Sequence, residues 1–142
     1  MKLSLLQKCA LGLSGVTALG VGAFILAAPH AFYQSYGISL GNDINLLSEL
    51  RAPAAGLAAS GLLMMAGILW RSVSHVSMVV ALMVFLAFPA GRIVGLLIDG
   101  MPSGNIVAAL VFELVIATLC LTAFRHRLKP TAGHRDRLQL AA

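Results

Sequence analysis

Polar residues are sparse along this chain, and they separate four long apolar stretches at about 9–28, 46–70, 73–98 and 105–124. A helix needs about 20 mostly apolar residues to cross a hydrocarbon core, within a range of roughly 17–25. All four stretches reach that length. None alternates as a barrel strand would, and backbone inside lipid must satisfy its own hydrogen bonds, so each stretch predicts a spanning helix. The fold class that follows is all-α, an integral membrane four-helix bundle. One transmembrane domain covers residues 1–124, and a basic, flexible tail covers 125–142.

Two boundaries need argument. The first stretch follows Lys2 and Lys8, as the core of a signal peptide would, but it exceeds the about 7–15 apolar residues of such a core. Pro29 directly after Leu26-Ala27-Ala28 is also an awkward neighbour for a cleavage site. The first helix is therefore expected to be retained. In the second stretch, Pro53 suits a first helical turn but would leave the Glu49 carbonyl unpaired in a longer helix. That helix starts either at Ala52, with Glu49 and Arg51 in a capping loop, or near Asn45, with both inside it.

Composition narrows the class further. Apolar residues make up 59% of the chain and charged residues 11%, against about 45–50% and roughly 25% in soluble domains. Mean hydropathy is +0.93. A soluble enzyme, a disordered chain and a disulfide scaffold are all excluded, the last because Cys9 and Cys120 are the only cysteines. Ten Lys+Arg against five Asp+Glu give a net charge of +5. This excess does not point to nucleic acid, because the basic residues sit at the ends of the apolar stretches.

Their distribution predicts orientation instead. Lys2, Lys8, Arg71 and the basic tail all fall on one side. The opposite connections, about 29–45 and 99–104, carry Asp43 and Asp99 but no Lys or Arg. Both termini are thus expected to be cytoplasmic, in a multi-pass protein of the bacterial inner membrane. Phe32, Tyr33 and Tyr36 would lie at the outer interface and Trp70 at the inner one. The tail reads either as an orientation signal or as a contact for anionic lipid, worth about 1 kcal/mol per basic residue near the surface.

Small residues recur every fourth position as Ser14-Ala18-Gly22, Ala52-Gly56-Ser60 and Ala87-Gly91-Gly95. Such stripes let helix backbones approach closely where lipid supplies no hydrophobic drive. They predict packing within the bundle, with a dimer face as the alternative.

Five ionisable residues remain in or beside the apolar stretches: Glu49, Arg51, Arg92, Asp99 and Glu113. An ionisable group at mid-membrane costs at least ~2.5–3.5 kcal/mol, so it faces the bundle and finds a partner. At about 1.5 Å per residue, Arg92 lies roughly 10 Å below the end near Asp99, and Glu113 about 13–14 Å below the same surface. Glu49 and Arg51 open the second helix on that side too. The third and fourth helices are joined by a short turn and must be antiparallel neighbours. A direct or water-bridged Arg92–Glu113 ion pair is expected, and Arg92 and Asp99, seven apart, share a helical face.

Other chemistry is thin. Cys9 and Cys120 form no C-x-x-C motif and read as small buried residues. His30, His75, His126 and His134 lack metal-ligand spacing. There is no phosphate-binding glycine loop, catalytic triad order or zinc motif, so neither a cofactor nor a metal is expected.

The order Asn45-x-x-x-Glu49-x-Arg51, Gly91-Arg92, Asp99-Gly100-x-Pro102 and Glu113-Leu114 resembles an uncharacterised bacterial four-helix membrane family. That family, a domain of unknown function, is similar to the DoxX/DoxD-like group, and the resemblance runs from about Ala10 to Phe124. It implies a four-helix membrane protein. The wider group includes small subunits associated with quinone-linked oxidation, but no catalytic residue carries over. Two readings stand. In one, a non-enzymatic module holds a membrane lipid, quinone or other amphiphile by its head group at the charge cluster. In the other, an accessory or scaffold subunit of a larger membrane complex uses the charges as an ionic clasp. A small transporter or oxidoreductase component is a third, with no inverted repeat to support it.

Overall fold

Leu5–Ala27 forms α1, Pro29–Gln34 α2, Ile44–Leu69 α3, Ser74–Ile98 α4 and Gly104–Phe124 α5 in a computed structural model that describes residues 3–127. The four long helices are each apolar enough to cross a membrane. The shortest has 21 residues, which at 1.5 Å per residue is about 31 Å, the thickness of a hydrocarbon core. The chain is all-α, as its hydropathy predicts. Of the tail expected at 125–142, residues 128–142 lie outside the described residues.

Local chemistry sets the helix starts. Ser4 caps α1 with a reciprocal pair of hydrogen bonds: Ser4 Oγ accepts from the Gln7 N–H, and Gln7 Oε1 accepts from the Ser4 N–H. The Asp43 carboxylate accepts from the Asn45 N–H and starts α3. This settles the Pro53 question. The helix begins at Ile44 and runs through Pro53, so Glu49 and Arg51 lie inside it rather than in a capping loop. The short α2 is an addition to the expected four helices. Pro29, with its φ preset, occupies its first position, and Gly37 at φ 78° turns the chain away after it.

The long helices form a ring in which α1 packs on α3, α3 on α4, α4 on α5, and α5 back on α1. The α1–α3 contact is the most extensive. There Gly22 lies so close to α3 that an added Cβ would come within 2.6 Å of the Ala54 carbonyl oxygen. An added Cβ on Gly61 would likewise meet the Gly15 carbonyl oxygen at 2.7 Å.

These approaches test the small-residue stripes. Ser14, Ala18 and Gly22 are buried as expected. On α3, however, the packed stripe is Ala54, Ala58 and Gly61, whereas Ala52 and Gly56 are exposed. Ala87 and Gly91 also point outward, and nothing lies within 4 Å of the position of a Gly91 Cβ. Small residues occur on several faces of α3 and α4, so a four-residue spacing alone does not select the packed one.

The dense core occupies the half of the bundle nearer the termini. Leu11, Met64, Ile116, Cys120 and Phe124 are fully buried there. Gln7 Nε2 donates to the Ala123 carbonyl oxygen at 3.2 Å, tying the start of α1 to the end of α5. Ser77 Oγ donates to the Leu63 carbonyl oxygen at 2.6 Å and links α4 to α3. Cys9 corrects the reading of both cysteines as buried: it is exposed, because Ala10, Leu11 and Ser14 take the inward face of that turn. Large apolar side chains such as Val16, Leu62, Met83, Leu97 and Val115 cover the outside. In water this belt would be costly; in a bilayer it is the surface required.

Candidate functional site

The other half of the bundle, toward the connecting loops, is not filled. It holds a partly open cavity of about 510 Å³, within the roughly 300–1,000 Å³ range of small-molecule sites. Its walls are chiefly apolar. Val21 comes from α1, Leu57 from α3, Phe85 and Phe88 from α4, and Phe112 from α5.

Arg92 and Glu113 bring charge to this cavity. Arg92 Nε donates to both carboxylate oxygens of Glu113, at 3.1 Å to Oε1 and 3.0 Å to Oε2. The side chains are 31% and 14% exposed respectively, so the pair is largely removed from the surroundings. The depth argument anticipated this contact. α4 rises and α5 descends across a short turn closed by Gly100 at φ 96°, which brings two positions of similar depth together. Only one N–H of the guanidinium is used. Its two Nη groups bond to no protein acceptor among the described residues and are not sealed from the surroundings. They carry four further donors and no acceptor.

The remaining members of the five-residue cluster lie elsewhere. Glu49 and Arg51 are exposed on α3, and Arg51 borders a separate groove with Leu26, Leu47 and Ala55. Asp99 is exposed at the end of α4. None of the three joins the Arg92–Glu113 pair. The depth argument placed all five residues in the same half of the membrane, but it does not say which side chains meet: Glu49 and Arg51 lie exposed on α3, and Asp99 lies two turns beyond Arg92 at the end of α4.

Polar residues that the charge-based reading passed over complete the loop end of the cavity. Asn105 Nδ2 donates to the Ser35 carbonyl oxygen at 2.7 Å. Ser103 Oγ donates to the Tyr36 carbonyl oxygen at 3.2 Å. These bonds pin the end of α2 across the start of α5, and Ser35, Tyr36 and Asn105 all line the cavity. Phe32 holds the same segment, with edge-on contacts to Phe24 and Tyr33 at centroid distances of 5.5 and 5.3 Å. A signal was present in the spacing. Phe85, Phe88 and Arg92 fall at i, i+3 and i+7, and Asn105, Ala109 and Glu113 at successive fourth positions, so each set marks one helix face.

Pro89 lies one turn before Arg92 and is buried inside α4. Without an N–H it cannot bond the Phe85 carbonyl, which loses its usual helical donor beside the cavity. The arrangement can therefore hold an elongated apolar group along its walls and meet a polar head at the guanidinium.

A family described as a domain of unknown function (DUF4345) matches residues 6–124. No curated protein and no solved structure matches the chain.

Proposed function

The chain belongs to the DUF4345 family, and from that premise we propose that it is a membrane module that holds an amphiphile in the loop-end cavity. The observation that carries this reading is the coincidence of an apolar space of about 510 Å³ with a guanidinium whose Nη groups lack partners among the described residues. An intramembrane charge is expensive and tends to mark a site. Here it borders an unfilled space rather than a packed helix contact. A lipid or quinone head group is the class of occupant, and the chain needs no catalytic group for this role.

Orientation and location complete the proposal. The loop-end cavity opens in the outer half of a bacterial inner membrane, with both termini cytoplasmic. Support comes from the placement of Lys8, Arg71, Arg125 and Arg127 at the terminus-bearing end, against Asp43 and Asp99 at the other.

A second reading has its own observation. The Arg92–Glu113 pair neutralises itself, as a clasp between α4 and α5 would, in an accessory subunit of a larger membrane complex. Native mass spectrometry separates the two. Retained amphiphile supports the first, and a bare protein in every mild detergent supports the clasp.

A further inference from the structure

The charge balance of the cavity restricts what it can hold. Arg92 and Glu113 sum to zero, and among the described residues Tyr36 is the only other titratable one on the walls. The available groups on Arg92 are all donors, so an occupant must present an acceptor oxygen to them. An anionic head would supply one, but it would arrive within a few ångströms of the Glu113 carboxylate, which already faces the same guanidinium at 3.0 Å. Charges are screened less between apolar walls than in bulk water, and a net-neutral site does not repay the desolvation of an added negative charge. A carbonyl or ester oxygen avoids this cost and still receives a charge-assisted hydrogen bond. Among the described residues exposed toward the loop end, Asp43, Glu49 and Asp99 outnumber Arg51, a balance that adds to the repulsion of anions.

Resting on the amphiphile reading above, we propose that the cavity selects an electrically neutral amphiphile, whose acceptor oxygen is bonded by the Nη groups of Arg92, and discriminates against anionic lipid. Glu113 is then the specificity determinant. It cancels the charge of Arg92 while leaving its outer donors free.

The test uses the full chain in an uncharged detergent and three probes with chains of eight to ten carbons. Dioctanoylglycerol and a decyl-substituted benzoquinone are neutral carbonyl carriers from two sources, and dioctanoyl phosphatidate is the anion. Binding is read by native mass spectrometry and by the shift in unfolding temperature. At least one neutral probe should bind about tenfold or more tightly than phosphatidate, a margin typical of one charge mismatch. The neutral probe that binds identifies the source. Glu113→Gln should reverse the order, because the uncancelled guanidinium then favours the anion. The double variant Arg92→Gln/Glu113→Gln carries no lone charge and keeps the test open if the single variant does not fold. It should lose neutral-probe binding without gaining phosphatidate. Tighter phosphatidate binding by the wild-type chain overturns this inference and leaves the amphiphile reading standing. Binding of no probe overturns both.

Discussion

Arg92 and Glu113 lie well inside α4 and α5, and each supplies the partner that makes the other tolerable in lipid. If they act as a unit, removing one charge strands the other, and removing both costs less than the sum. Arg92→Met and Glu113→Gln should each destabilise the protein strongly, with a coupling of about 1–3 kcal/mol in the double variant. Reversible unfolding in detergent measures this cycle. Simple additivity would show that the two charges do not depend on each other. The same pair shows what a sequence can reveal about a site. Their register was legible because helix rise and a short turn fix depth. Glu49, Arg51 and Asp99 stand apart from them: Glu49 and Arg51 lie exposed on α3, and Asp99 shares the face of Arg92 but lies two turns further on, at the exposed end of α4. Asn105 was not singled out, and Tyr36 was read only as an interfacial aromatic, because uncharged polar residues near a helix end are common at any membrane interface.

At the level of elements, α1 and α3 are held by backbone proximity rather than by interlocking side chains. Gly22→Ala and Gly61→Ala should each cost about 1–3 kcal/mol, because the new methyl would meet main-chain atoms that cannot swing aside. Gly56→Ala and Gly91→Ala meet nothing within 4 Å and should be neutral, or stabilising by up to about 1 kcal/mol through helix propensity. Equal effects at all four positions in the same unfolding assay would refute this assignment of the packed faces. The spanning helices were visible in the sequence, since a run of about 20 apolar residues has few other readings. The phase of α3 was not. Between Ala52 and Gly61 small residues stand at nearly every position, and Ala54-Ala58-Gly61 is distinguished from Ala52-Gly56-Ser60 only by the partner it meets. The six residues of α2 escaped for a different reason: a helix this short shows no periodicity, and only Pro29 marks its start.

On the scale of the whole molecule, the bundle divides into a packed half near the termini and a hollow half near the loops. Leu11, Ile116 and Phe124 fill the first, while Phe85, Phe88 and Phe112 surround the second. The packed half fixes the positions of four helices, so the other half can remain open without collapsing. The proposed orientation sets the hollow half toward the outside. A reporter active only beyond the cytoplasm should be silent when fused after Ala142 and active when inserted near Gly41, and the opposite pattern would invert the molecule. The central claim is that the hollow half is occupied. Native mass spectrometry of the full chain, released from mild detergent, tests this most directly when wild type is compared with Ala109→Phe, which partly fills the cavity while keeping both charged residues. The wild type is predicted to carry an adduct of amphiphile mass that the filled variant lacks; a bare wild-type protein, or the same adduct on both, would contradict it.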